Sequence, residues 1–299
     1  MSALPRRPLG RTGLEPTLVG FGALEIGRDW GVGNVDDRKR PKEEEAGRTI
    51  EDVLDLGVNL LDTASAYHRS EERIGIYAHS RRSEYMLATK CGEHNREPDT
   101  YYDFSHAAIS RSIENSRRLL QTDIIDILQI HFGPDPDKVL DEGGCVKAMK
   151  EAREKGHVRF LGASVDGPVL DRCIQSGDFD VVQVGYSLLR PGEGDRIWKA
   201  ADRGIGVLIR SGLGGGWLTS RALRVRPEER PSKVNALLDL CDGDAEKLTS
   251  LALHFLARNA GVSSILVGSK SSDNIRSAVA MLGGPVDDDL LEEAASLQD

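Results

Sequence analysis

The chain has 299 residues, room for one large domain or two ordinary ones and for a sizeable buried core. Its 39 lysines and arginines stand against 48 aspartates and glutamates, a formal net charge of −9. With no concentrated basic segment, that balance argues against a main role on nucleic acid or an anionic membrane. The 39% hydrophobic and 29% charged residues exclude a disordered chain.

The N-terminal stretch lacks the apolar core of a signal peptide, and no run approaches the roughly 18 apolar residues of a membrane span. Residues 7–16, with Leu9-Gly10-Arg11-Thr12-Gly13, are turn-rich and predict a small hairpin. Short apolar, β-branched runs then alternate with amphipathic stretches. A strand at 18–22 precedes a helix at 43–56, then strand 59–63 and helix 70–78, strand 85–90 and helix 105–120. Strand 124–131 leads to helix 144–155, strand 160–164 to helix 168–176, and strand 180–186 to helix 195–201. Strand 206–211 precedes helix 244–259, which Asp244 would cap, and strand 264–268 precedes helix 272–282. Runs that are apolar without alternation fit strands buried on both faces, as in parallel sheets.

Eight strands alternating with eight helices predict an α/β fold, a (β/α)8 barrel. A doubly wound open sheet would call for a glycine fingerprint after the first strand, and there is none. Three segments stand outside the repeat: the N-terminal hairpin, a charged, proline-interrupted insertion at 217–242 after the seventh strand, and an extra C-terminal helix at 286–298. No Pro/Gly/Ser-rich linker divides the chain, so residues 1–299 are expected to form a single domain. Cys91, Cys145, Cys173 and Cys241 are scattered, which suits reduced thiols in the cytoplasm better than zinc or a disulfide framework.

In such barrels the chemistry sits at the C-terminal ends of the strands. Asp62, Lys90 and His131 end the second, third and fourth strands, and Tyr67 follows Asp62 closely enough to share the same mouth. Singly, Asp62 could be a cap, Lys90 a solvated strand end, His131 a core histidine and Tyr67 a packing ring. Together they suit proton transfer to a carbonyl oxygen.

The sequence resembles the aldo/keto reductase superfamily over nearly its whole length. The resemblance is carried by Gly57-Val58-Asn59-Leu60-Leu61-Asp62-Thr63-Ala64-Ser65-Ala66-Tyr67, Ser70-Glu71 with Ile74-Gly75, and Ala88-Thr89-Lys90. Gln129-Ile130-His131 with Asp135, Gly162-Ala163-Ser164 and Val182-Gln183-Val184-Gly185-Tyr186 continue it in order. It implies a catalytic tetrad of Asp62, Tyr67, Lys90 and His131. In that scheme the Lys90 ammonium lowers the phenol's pKa from about 10 and Asp62 compensates Lys90. His131 orients the substrate oxygen, and Tyr67 protonates the developing alkoxide as hydride arrives.

The resemblance also implies a nicotinamide cofactor across the mouth, with NADPH expected and NADH possible. Gly22, Asp62, Ser164, Gln183, Arg210, Ser211, Leu213, Gly216, Gly268, Lys270 and Asn274 are the residues expected to touch it. Ser164 and Gln183 would hold the carboxamide, and Gly214-Gly215-Gly216 would bring backbone N–H groups to the pyrophosphate. Lys270, with Arg276 further on, would meet an adenosine 2′-phosphate at a helix start. The chain departs from the family pattern at Val165 and Ala278, each in place of an asparagine, and at Arg210, in place of an aromatic residue. Arg210 would either stack on the nicotinamide or pair with a substrate carboxylate. The expected partner is a small carbonyl or alcohol, reduced by NADPH. Oxidation of a sugar or alcohol by NAD(P)+ and cofactor sensing as a regulatory subunit are the alternatives. Trp30, His68, Phe132 and Trp217 are candidate pocket walls, and the segment 27–41 is expected to be mobile.

Overall fold

Strands with apolar residues on both faces need cover on both, which a closed parallel barrel ringed by helices provides. The computed structural model describes residues 4–297. Its strands are β1 (Val19–Gly22), β2 (Leu60–Asp62), β3 (Met86–Cys91), β4 (Glu93–Arg96), β5 (Asp99–Tyr102), β6 (Ile125–His131), β7 (Val158–Ser164), β8 (Val181–Gly185), β9 (Gly206–Arg210) and β10 (Ser264–Gly268). Eight of them close into a parallel barrel in the order β1, β2, β3, β6, β7, β8, β9, β10, while β4 and β5 pair antiparallel outside it.

The helices are α1 (Leu24–Gly27), α2 (Val35–Arg38), α3 (Glu43–Asp55), α4 (Ser70–Ala78), α5 (His106–Leu119), α6 (Pro136–Glu142), α7 (Gly144–Glu154), α8 (Gly167–Ser176), α9 (Gly194–Asp202), α10 (Ser232–Leu240), α11 (Ala245–Arg258), α12 (Ser272–Leu282) and α13 (Asp288–Ser296). Every expected strand and helix of the repeat is present, with ends moved by two residues at most. Asp244 caps α11 as expected, accepting from the N–H groups of Glu246 and Lys247. The β4–β5 hairpin lies outside the expected repeat. Glu93-His94-Asn95-Arg96 and Asp99-Thr100-Tyr101-Tyr102 are polar and largely exposed, so they carry no apolar run to announce a strand.

Strand periodicity sorts the barrel's side chains. Leu60, Ala88, Ile127, Val181, Leu208 and Leu266 fill the interior, whereas Leu61, Leu87, Leu128, Val182, Ile209 and Ile265 face outward into the helix-covered core. Two residues beyond the interior layer, the same inward direction belongs to Asp62, Lys90, Gln129, Gln183, Arg210 and Gly268. The polar floor of the mouth therefore follows from the same alternation that fills the barrel.

The N-terminal segment closes the opposite end. Arg6 pairs with Thr17, and the N–H groups of Arg7 and Leu9 donate to Pro16 and Leu14 across the turn. Leu9 is fully buried among the interior residues, as the bottom plug. Gly10 next to it sits at φ +54, and a side chain there would come within 2.3 Å of the Gly204 carbonyl oxygen. Arg7 donates to the carbonyls of Ala257, Asn259 and Val262, tying the plug to the end of α11.

The insertion after β9 is not a loose loop. Its α10 and flanking turns bury Leu218, Ala222, Val234, Leu237, Leu238 and Cys241 against α11 and against Leu291 and Ala294 of the C-terminal α13. This satellite core explains both segments outside the repeat: each covers apolar surface on the other. Trp217, expected as a pocket wall, packs here instead. Gln298 of the expected C-terminal helix lies outside the described residues.

Candidate active site

The barrel mouth opens into a cleft of about 710 Å³ lined by Asp62, Tyr67, His131, Ser164, Gln183 and Arg210 among others. Register places these groups side by side. Lys90 pairs with Gln129, His131 with Ser164, Ser164 with Gln183, and Gly185 with Arg210.

Asp62 is the hub. Its Oδ2 accepts from Lys90 Nζ at 2.6 Å, and its Oδ1 accepts from Gln183 Nε2 at 2.8 Å and Gln129 Nε2 at 3.0 Å. Lys90 donates a second hydrogen bond to the Thr63 carbonyl at 2.9 Å and is buried. Burial pulls the ammonium toward losing its proton. Asp62 and Tyr67 together more than offset that, and its pKa is raised. The expected compensation of Lys90 by Asp62 is thus present in the geometry.

Tyr67 stands on the loop after β2, with the Lys90 ammonium 5.0 Å from its ring centroid. Its ring meets that of His131 edge to face, with centroids 5.9 Å apart. One expectation changes sign here. Lys90 does pull the phenol's pKa down, but desolvation by the packed walls is larger, and the net shift is upward. Tyr67 therefore rests as the neutral phenol, the form that gives a proton.

His131 Nδ1 lies 2.9 Å from Oε2 of Glu93, the first residue of β4, which sequence reasoning missed. The carboxylate approaches off the ring's N–H direction, so the buried nitrogen has no in-line hydrogen bond. Burial lowers the His131 pKa, with Lys90 adding to that effect and Glu93 opposing it. Gly92, at φ +103, turns the chain from β3 into the hairpin, and a side chain there would sit 2.3 Å from the Phe104 ring. That turn is what brings Glu93 back to the mouth.

Beneath the site, Glu71 of α4 is buried, accepts from Thr89 Oγ1 at 2.6 Å, and has its pKa pushed up by burial to about 7. A carboxyl whose folded pKa is raised takes up a proton on folding. Its contribution to stability is greatest below the unfolded value near 4.5 and is lost as pH rises toward 7. Glu71→Gln is therefore expected to flatten the stability profile over that interval. The variant should gain roughly 2–3 kcal/mol relative to wild type between the two ends, read from urea midpoints across pH. Parallel profiles for the two proteins would contradict this.

The cofactor-side residues divide. Gly22, Ser164, Gln183, Arg210, Ser211, Leu213, Gly216, Gly268 and Asn274 all line the cleft. Gly22 and Gly268 are register partners, and a side chain on Gly22 would come within 3.4 Å of the Gly268 backbone. Gly214, Gly215 and Gly216 all have positive φ, so the turn they form excludes ordinary side chains. A glycine-lined wall of this kind admits close approach of an extended ligand. Arg210 is paired with Asp166 at 2.5 Å, and Asp166 also accepts from the Gly185 N–H at 2.7 Å. The guanidinium is thus already paired with a carboxylate of this chain. Lys270 is turned away from the cleft, donating to the carbonyls of Asp37 and Lys39 at 2.8 and 2.9 Å. Arg276 is exposed on α12.

The segment 27–41, expected to be mobile, and the helix before it both make ion pairs to the insertion. Glu25 receives both terminal nitrogens of Arg221 at 2.9 and 2.5 Å, and Asp37 pairs with Arg224 at 2.5 Å, linking the β1 loop to the insertion beside the cleft. Of the candidate walls, Trp30 and Phe132 line the cleft, joined by Arg28 and Tyr102, while His68 Nδ1 lies 2.8 Å from Asn95 Oδ1.

The aldo/keto reductase family model matches residues 18–299. The chain belongs to this family. It is 31% identical to the L-galactose dehydrogenase of Arabidopsis thaliana, over 94% of this chain and 88% of the relative. It is 28% identical to the NADH-specific methylglyoxal reductase of Escherichia coli strain K12, over 92% of each. The aldo-keto reductase AKR11C1 from Bacillus halodurans, in its holo form, superposes with a TM-score of 0.82 at 25% identity, covering 98% of this chain and 95% of that one. As an aldo/keto reductase the protein is an NAD(P)(H)-dependent oxidoreductase of carbonyl compounds and their alcohols. Among the described residues, no helix is long and apolar enough to cross a membrane.

Proposed function

We propose that this aldo/keto reductase uses NADPH to reduce an aldehyde, ketone or sugar carbonyl, with Tyr67 as the general acid. The observation that carries the reading is the edge-to-face contact of Tyr67 and His131 over the buried Lys90–Asp62 pair, at the mouth of the cleft. A carbonyl oxygen placed between phenol and imidazole meets a proton donor and an orienting group. The bound nicotinamide supplies hydride when reduced. The Ser164 hydroxyl and the side-chain Oε1 of Gln183 are the atoms offered to its carboxamide, Gln183 Nε2 being used by Asp62. Arg210, anchored by Asp166, is the residue that would stack on the ring. Four free, buried thiols support a reducing compartment such as the cytoplasm.

Cofactor-coupled turnover over a panel of carbonyls tests the class. Absence of reduction with every carbonyl, alongside oxidation of alcohols or sugars, would favour the dehydrogenase alternative; tight cofactor binding without turnover would favour a sensor. Cofactor choice rests on Lys270. To meet a 2′-phosphate its ammonium must leave two loop carbonyls, exchanging neutral acceptors for a dianion. Lys270→Ala is expected to weaken NADPH by roughly ten- to hundredfold and NADH far less, with the gap shrinking at high salt. Equal loss for both cofactors, measured by fluorescence titration, would instead assign Lys270 to fastening the loop.

A further inference from the structure

Glu93 is a carboxylate at the mouth with no part in the tetrad, and its two oxygens face different ways. Oε1 accepts from Thr100 Oγ1 at 2.6 Å and lies 3.9 Å from Arg28, while Oε2 lies 2.9 Å from His131 Nδ1. Its backbone carbonyl accepts from Ser65 Oγ at 2.6 Å, so the loop carrying Tyr67 rests on the same residue. Even off the ring's N–H direction, a carboxylate oxygen 2.9 Å from Nδ1 repels an unshared pair there and attracts a proton, so the charge of Glu93 favours the protonated nitrogen. Thr100, Arg28 and His131 keep the carboxyl ionised against its burial, which puts that proton on the ring. Nδ1 is buried, whereas the ring as a whole reaches the cleft, so the edge turned to substrate is the one bearing Nε2.

We infer that Glu93 is a positioning residue that holds a proton on His131 Nδ1, so that Nε2 is a donor to a carbonyl only while the imidazole is protonated. When the ring is neutral, Nε2 presents a lone pair, which repels a carbonyl oxygen and accepts from a hydroxyl. The inference deepens the reading of the site given above and rests on it for the identity of the reacting oxygen. Reduction is then coupled to the charge of His131, and alcohol binding to its neutral form. The groups facing the imidazole from the packed elements are Asp62 from β2, Tyr67 from the following loop, Lys90 from β3 and Glu93 from β4, with Arg28 and Tyr102 around the carboxylate.

Two measurements test this. Nitrogen NMR of the wild-type protein above the titration of His131 should show the Nδ1–H tautomer; an Nε2–H tautomer would overturn the inference. This reading needs no substrate, so it decides even if no carbonyl proves to be turned over. In wild type, kcat/KM for carbonyl reduction should fall with rising pH by up to ~tenfold per unit above the His131 pKa, which lies below the usual imidazole value. Glu93→Gln, whose side chain tolerates either tautomer, should lose that limb while the fall at higher pH from ionisation of the Tyr67 phenol stays. A Glu93→Gln profile that keeps the wild-type His131 limb would contradict the coupling.

Discussion

Tyr67→Phe is expected to abolish nearly all carbonyl reduction while leaving cofactor affinity and fold in place. The substitution removes one oxygen and keeps the ring, so the edge-to-face contact with His131 and the approach of Lys90 persist. Stability should change by no more than ~1 kcal/mol. Loss of a positioned general acid costs about 10²–10⁴ in rate, and in the proposed reading the neutral phenol favoured by burial is the donor being removed. The measurement is single-turnover hydride transfer after confirming cofactor binding by fluorescence. Retention of more than about a tenth of the wild-type rate would assign proton donation elsewhere, because general acid catalysis is worth more than that factor.

Lys90→Met carries the second large effect, and it acts on stability as well as rate. The ammonium is buried and holds Asp62 at 2.6 Å; without it the carboxylate keeps only the amide donors of Gln129 and Gln183. Breaking a buried pair by removing one partner costs about 3–5 kcal/mol. Lys90→Met with Asp62→Asn should recover much of that stability and none of the activity. The sign of the kinetic change is also set. Lys90 is the group that draws the phenol's pKa down, so its loss raises that pKa further. Alcohol oxidation, which in the proposed mechanism needs the tyrosinate, should then start at higher pH, while the phenol stays protonated for reduction. Thermal melts and the pH dependence of oxidation check the two halves. An unshifted oxidation profile in a folded variant would make Lys90 a structural residue.

The barrel was legible in the order of its runs because a parallel strand buried on both faces leaves a dense signature in one dimension. The clustering of Asp62, Lys90 and His131 was legible for a related reason: strand periodicity and the closing of neighbouring strands bring the three together whatever the loops do. Loop residues were another matter. Glu93 lies in a polar hairpin with no apolar pattern, and its meeting with His131 depends on the turn at Gly92. Asp166 meets Arg210 only because β7 and β9 flank β8 in the barrel.

The amino-acid sequence by itself determined the fold, the family and the inward direction of Asp62 and Lys90, since these follow from local periodicity and strand order. The tertiary structure alone decided the charge balance of the site: which carboxylate faces His131, which one holds Arg210, where Lys270 points and which way the Tyr67 proton is biased. These depend on desolvation and on distances of a few ångströms between segments far apart in the chain, and electrostatic energies at that range change with every such placement.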